Sequence, residues 1–195
     1  MIRFLQDVGV KAHEIIKEKE DRIEVFIPFN SARKRACTAV RHPTKPDTVR
    51  IFVKGAPEMV IQLCDRYFDE NGQEKDLTNH KKEHVVNSVV RDAFAVNAYR
   101  TLLIAYTDLS VHEYENLKRE NNNFHTEKDR EVLESSLTMI GIFGVQDPLR
   151  NEIVESVKRC HTAGINVRMV TGDNLDTAKA IAIEAGIVSR EHADE

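Results

Sequence analysis

Val49-Arg50-Ile51-Phe52-Val53-Lys54-Gly55-Ala56-Pro57-Glu58 holds a change of secondary structure within a few residues. Val49 to Val53 is a hydrophobic, strand-forming run, and Lys54 stands at its end. Gly55 and Ala56 follow, with no side-chain bulk to hold a ligand away. Pro57 then suits the first turn of a helix, where a missing N–H has no partner to lose. A cation at a strand end, beside small residues and a helix start, suits a phosphate or a nucleotide. An ordinary strand-to-helix turn has the same residues, so this run alone leaves both readings open.

On either side the pattern supplies neighbours for that strand. Arg22 to Phe29 alternates in part, with Ile23, Val25 and Ile27 on one face, and Lys34 to Arg41 reads as a second strand. The Pro43–Asp47 loop leads from there into Val49. Downstream, a helix is predicted from Pro57 to about Tyr67, and Asn71-Gly72 is a hairpin turn. Val85, Val86, Val89, Val90 and Phe94 recur at helical spacing within Thr78–Asn97. Thr101–Tyr106 reads as a buried strand. Ser110 to about Glu134 holds one more helix, with Asn121–Asn123 as a loop, and Leu137–Val145 is a β-branched strand. Upstream, Ile2, Leu5, Val8, Ala12, Ile15 and Ile16 predict a helix with no capping residue ahead of it, as in a piece cut from a longer chain.

The character changes at Asp147-Pro148-Leu149-Arg150. A helix (Asn151 to Ala163), a stop at Gly164, a strand (Ile165 to Val170), a polar turn and a helix (Asn174 to Ala185) follow in the alternation of a parallel α/β layer. The expected fold is therefore α+β. An antiparallel sheet flanked by helices fills residues 1–146, and a partial α/β segment fills residues 147–195. The edges of the Ile165–Val170 strand would be unpaired, which predicts a mobile tail or self-association through the incomplete sheet.

Bulk composition narrows the function classes. The 195 residues are 41% hydrophobic and 31% charged, enough for a core in a soluble protein. A net charge of −4 with both signs interspersed argues against a nucleic-acid partner. Cys37, Cys64 and Cys160 are odd in number and far apart, which favours free thiols in a reducing compartment. No apolar run approaches the roughly 18 to 20 residues of a membrane span, and no signal peptide opens the chain.

Thr171-Gly172-Asp173-Asn174 sits at the carboxyl end of the Ile165–Val170 run and at a helix start. The Thr171 hydroxyl, free N–H groups around Gly172 and the positive end of the helix dipole would favour a phosphoryl group there. Asp173 or Asn174 acting only as a helix cap is the alternative.

KGAPE, then Arg100 in YRTLLIAY, then LTMIGIFGVQDPLR, then AGINVRMVTGDNLDTAKAIA resemble P-type cation-transporting ATPases in order and spacing. PFNSARKR, Pro28 to Arg35, resembles the same family's adenine-side strand pair, so the resemblance covers nearly the whole chain. RCHTAGINVRMV and TGDNLDTAKAIA are most similar to the plasma-membrane-type calcium pumps, and the calcium assignment rests on that wording.

The resemblance implies a nucleotide-binding domain over 1–146. Over 147–195 it implies part of a phosphorylation domain of the haloacid-dehalogenase fold. It implies ATP and Mg2+ as ligands. The partners are the rest of a pump, with its phosphorylation, actuator and membrane domains, and the place is the cytoplasmic face of a membrane, by wording the plasma membrane. Phe29 would stack on adenine. Lys34 would bring positive charge near the base or phosphates. Lys54 would line the cavity, Gly55 and Ala56 would let the ligand approach, Arg100 would meet the phosphates and Leu102 would wall the pocket. Thr171, Gly172 and Asp173 would meet the γ-phosphate and its magnesium. Asp147 and Arg150 match the hinge, where a charged pair and a proline restrict the crossing chain. Glu58 is expected to cap or pair locally.

Two positions depart from the family pattern. Ser31 stands where an arginine is common, and Ala36 where a methionine is. Neither the Asp-Lys-Thr-Gly-Thr run of the phosphorylated aspartate nor the Gly-Asp-Gly-x-x-Asn-Asp magnesium segment occurs. Phosphoryl transfer needs an in-line nucleophile and a metal clamp, so the expectation is binding without turnover, with no catalytic residue in the chain.

Rival readings are a dehalogenase-fold phosphatase, which lacks its Asp-x-Asp pair here, and a non-catalytic interaction module. His80-Lys81-Lys82-Glu83-His84 matches an inverted zinc-peptidase pattern, but a charged, solvated helix face is the stronger reading. Asp69-Glu70-Asn71-Gly72 has its glycine misplaced for a calcium loop and reads as a turn.

Overall fold

Alternation in the strands builds the sheet. In β3 (Thr48–Gly55), Val49, Ile51, Val53 and Gly55 are buried, while Arg50, Phe52 and Lys54 face the other way. β2 (Arg35–Arg41) lies antiparallel to it, with Cys37 opposite Val53 and Ala39 opposite Ile51. β1 (Ile23–Asn30) adds Ile27 opposite Cys37, and β6 (Tyr99–Ser110) adds Leu103 opposite Gly55 and Ala105 opposite Val53. All of these inward residues are fully or nearly buried. A slip of one residue would turn the whole apolar set to the opposite face, so burial pins the register. Each buried Ile, Val or Leu side chain contributes roughly 1.5–3 kcal/mol.

We describe the fold from a computed structural model that covers residues 2–173 and 175–192. Met1, Asn174 and residues 193–195 lie outside the described residues, as do the side chains of residues 2–4 and 18–20. Two expectations fall there, the helix start at Asn174 and the first apolar side chain, Ile2.

The sheet has seven strands in the order β1-β2-β3-β6-β7-β4-β5. β7 (Leu137–Gln146) runs antiparallel to β6 and parallel to β4 (Cys64–Phe68), and β5 (Glu74–Asp76) closes the far edge as a hairpin with β4. Asp69 makes that hairpin turn, its Oδ1 accepting from the N–H groups of Asn71 at 2.9 Å and Gln73 at 2.8 Å. The expected antiparallel sheet is therefore present with one parallel pair.

Helices cover the inner face. α5 (Val111–Glu120) and α6 (Glu127–Arg130) each start with a reciprocal capping box, Ser110 with Glu113 and Thr126 with Asp129, and Tyr114 of α5 is buried edge-on against Phe124. Two expectations need correction. The helix predicted from Pro57 to Tyr67 stops early, as α3 (Pro57–Val60) and one 3-10 turn (Ile61–Leu63), and Cys64 then starts β4. Pairing with β7 supplies the backbone partners that the helix would have made. The N-terminal helix is broken into α1 (Ile2–Asp7) and α2 (Ala12–Lys19) at Gly9, whose φ is +81°. The Thr78–Asn97 helix forms as α4 (Asn79–His84), a π-helix (Val85–Phe94) and a 3-10 turn (Ala95–Asn97) that ends at Ala98 in the left-handed conformation.

The chain after β7 runs without regular structure through Asp147–Arg150 into α7 (Ile153–Thr162), which stops at Gly164 with φ +73°. The strand predicted over Ile165–Val170 is not formed, and the expected α/β layer is absent among the described residues. Among the described residues no strand lies beside this run to share its N–H and C=O groups, and Val170 is 96% exposed. α8 (Leu175–Glu184) buries Thr177 and Ala182 and packs on the 3-10 turn Ala95–Asn97. Among the described residues no helix is long and apolar enough to cross a membrane.

Candidate binding cleft

The ends of four strands build the cleft. The β1–β2 hairpin turns through Ser31–Lys34, and Asn30 shapes it by accepting from Ala32 N–H at its side chain (2.8 Å) and from Lys34 N–H at its carbonyl (2.7 Å). Lys34 leaves the turn at φ +50°. Its carbonyl accepts from Ala56 N–H at 2.9 Å, which ties the hairpin to the β3–α3 junction. Gly55 is required at that crossing. A Cβ there would stand 2.4 Å from the Lys34 oxygen and 2.6 Å from Arg35 Cβ. The small residue read from the sequence as room for a ligand makes room first for the neighbouring hairpin.

A cavity of about 460 Å³ opens beside this crossing, within the usual range for small-ligand sites. Phe29, Lys34 and Ala36 come from the β1–β2 side, Lys54, Gly55 and Ala56 from the end of β3, and Arg100 and Leu102 from β6. Gly172 and Asp173 reach it from the segment ahead of α8. Register explains part of this gathering. Ala36 is opposite Lys54 and therefore shares its face. Phe29 is not a core residue: it is 65% exposed and lines the cavity.

Charge in the cleft is uneven. Lys34 and Lys54 have no ion-pair partner among the described residues, whereas Arg100 has two. Its Nη1 lies 3.1 Å from Asp147 Oδ2, and its Nε lies 3.1 Å from Asp173 Oδ1. Thr171 Oγ1 donates to Asp173 Oδ2 at 3.0 Å and accepts from Asp173 N–H at 3.1 Å, so it shapes the turn but is not on the cavity wall. The charged pair expected at Asp147 and Arg150 is not made. Asp147 is engaged by Arg100, and Arg150 has no ion pair among the described residues.

Behind the hairpin, Arg33 and Arg35 both meet the buried carboxylate of Glu134. Burial opposes the Arg33 charge, but the hydrogen bond and charge of Glu134, with the charge of Glu131, raise its pKa above the ordinary arginine value.

Sequence reasoning placed nine of these wall residues and passed over Pro57, Thr101 and Thr177. Thr177 is buried on α8, four residues after Asp173 in sequence, and no sequence signal marks it as a wall residue. Ser31 and Ala36, noted only as departures, also line the wall. Glu58, expected to cap α3 or pair locally, does neither among the described residues and faces the cavity.

The histidine pattern gives no metal centre. His80 and His84 are exposed, His84 Nδ1 is 3.2 Å from Ser88 Oγ, and no metal-holding group of His, Cys, Asp or Glu occurs among the described residues.

Fold and site together define an α+β domain whose strand ends present an exposed aromatic ring and a set of cations to one cleft. The family model for "P-type ATPase, cytoplasmic domain N" matches residues 1–152, and the chain belongs to that family. It is 40% identical over 162 residues, 83% of its length, to "Calcium-transporting ATPase 1, plasma membrane-type" of Oryza sativa subsp. japonica. To "Plasma membrane calcium-transporting ATPase 4" of Bos taurus it is 34% identical over 190 residues, 97% of its length. To "Plasma membrane calcium-transporting ATPase 3" of Homo sapiens it is 36% identical over 169 residues, 87% of its length. The matches cover only 14%, 15% and 13% of those three relatives.

Proposed function

We propose that the chain is the ATP-binding part of a calcium-transporting P-type pump at the cytoplasmic face of the plasma membrane. Residues 1–146 form the nucleotide-binding domain and residues 147–195 a portion of the phosphorylation domain. The observation that carries this reading is the convergence of Phe29, Lys34, Lys54 and Arg100 on one cavity.

Phe29 offers an open ring face to a purine, with Ala36 and Leu102 as apolar walls. Among the described residues Lys34 and Lys54 have no ion-pair partner, and Arg100 can exchange its carboxylate partners for phosphate oxygens. Magnesium fits as an ion that arrives on the phosphates. Asp173 supplies a carboxylate beside them, and Mg2+ commonly uses one or two carboxylates plus substrate oxygens. Bound there, the metal would neutralise phosphate charge. Thr171 holds the turn that presents Asp173, and Gly172 lines the cavity beside it. The ATP so held would be presented to a phosphorylatable aspartate elsewhere in the pump, and the chain alone binds without turnover.

Calorimetric titration with MgATP tests the reading. Saturable binding of modest, micromolar or weaker strength is expected. Lys54→Ala should weaken it by about tenfold or more, the usual worth of a charge-assisted hydrogen bond. Phe29→Ala should weaken ATP but leave tripolyphosphate unchanged. Absence of saturable binding at millimolar nucleotide, or nanomolar binding indifferent to Lys54→Ala, would contradict it.

A further inference from the structure

We infer that Glu134 is a positioning residue for the cleft: its carboxylate, held between Arg33 and Arg35, sets the backbone of Lys34 and so the aim of that lysine. The inference rests on the proposed binding of an anionic nucleotide in the cleft.

Arg33-Lys34-Arg35 is a run of three cations at the mouth of the β1–β2 hairpin. Left to themselves, such neighbours would repel one another and splay into solvent. In the structure the outer two turn away from the cavity to a single carboxylate about a hundred residues on in sequence. Glu134 has a side chain only 1% exposed. It accepts from Arg33 Nη2 and, at 2.7 Å, from Arg35 Nε. Glu131 adds a second carboxylate, 3.1 Å from Arg33 Nε. The middle cation alone faces the cavity.

Burying three charges in this way is a poor route to stability, because desolvation offsets most of the attraction. What the clamp does fix is conformation. Lys34 is a non-glycine residue at φ +50°, a backbone state that persists only where the surroundings over-determine it. Arg33 and Arg35 are the residues on either side, and both are tethered to the same group. The Lys34 carbonyl in turn receives Ala56 N–H, so the setting passes to Gly55 and Ala56 on the opposite wall. Glu134 touches no part of the cavity itself.

Two readouts on Glu134→Gln test this, with the thermal midpoint followed in parallel. The first needs no ligand. Amide exchange at Lys34 and Ala56, whose N–H groups close the hairpin and the crossing, should quicken by about tenfold or more while Ile51 and Val53 in mid-strand hold their rates. The second is a cycle with Lys34→Ala. Glu134→Gln should weaken MgATP by about tenfold in the native chain and by less than about twofold once Lys34 is alanine.

Equal losses in both backgrounds, or unchanged exchange at Lys34 and Ala56, would overturn the inference. If the native chain binds no MgATP while the exchange effect appears, the positioning stands and the nucleotide reading falls. Should Glu134→Gln fail to fold, Arg35→Gln loosens the same clamp from the other partner and carries both readouts with the same expected outcomes.

Discussion

Arg100 Nε lies 3.1 Å from Asp173 Oδ1, an ion pair across 73 residues of sequence that joins β6 to the turn ahead of α8. Asp147 holds the same guanidinium from the other side at 3.1 Å. The strongest phosphate-type donor in the cleft is thus occupied by two internal carboxylates, and an incoming phosphate must compete with them.

That competition has a sign. Arg100→Ala should weaken ATP by about tenfold, as for loss of a charge-assisted hydrogen bond. Asp173→Asn removes a competitor and a like charge, so metal-free ATP should bind more tightly, by about threefold at low salt. Calorimetry without magnesium at low ionic strength checks both, and weaker metal-free binding by Asp173→Asn would contradict the competition.

The Gly55 crossing makes a stability prediction. Gly55→Ala forces the Lys34 and Arg35 backbones apart and should cost about 2–3 kcal/mol in urea denaturation, as overpacked sites do. Gly141→Ala in β7, where the nearest atom would stand 4.0 Å away, should change stability by less than about 0.5 kcal/mol. Equal effects of the two would show that the close approach is unimportant.

Periodicity is enough to place the main strands, because one face of each is buried and the alternation shows it. β2 and β3 are foreseen to within a residue or two. β4 is not, because Cys64–Phe68 is short and becomes a strand through its partners, β5 on one side and β7, whose residues lie some seventy positions later, on the other. The Ile165–Val170 run has strand composition but pairs with no strand among the described residues, so composition alone misleads there. In the cleft, Lys54, Arg100 and Asp173 are found by motif. Glu134 is invisible to that reading, since a glutamate ahead of a strand gives no sign of two arginines a hundred residues earlier.

On the outward face of the sheet, Arg50 grips Asp108 with two hydrogen bonds of 2.6 and 2.7 Å. The Arg50 hydrogen bond, set against burial, holds the Asp108 carboxyl below its ordinary value of 3.8. The folded protein therefore binds this proton less readily than the unfolded chain, and the pair's stabilisation is complete above 3.8 and lost as pH falls through the depressed value. Denaturation of the native chain and Asp108→Asn from pH 7 downward should show a gap that closes only below that point. A gap that closes near neutrality would contradict the assignment.

The cysteines should separate by reactivity. Burial pushes the thiols of Cys37 and Cys64 up to about 12, with the charge of Glu134 adding to the rise at Cys37 and that of Asp65 at Cys64. Both stay protonated and covered at neutral pH, whereas Cys160 is half-exposed on α7. Mass spectrometry after brief alkylation of the folded chain should find Cys160 labelled first, with the other two following only on unfolding. Early labelling of Cys37 would mean that the sheet opens more readily than its packing implies.

The convergence of Phe29, Lys34, Lys54 and Arg100 is best tested by following backbone amide resonances during titration with MgATP. Saturable shifts should gather at Lys34, Gly55, Ala56, Arg100, Leu102 and Gly172 and leave the histidine-bearing helix Asn79–His84 unmoved. Shifts centred on that helix, or none that saturate, would contradict a nucleotide cleft at the strand ends.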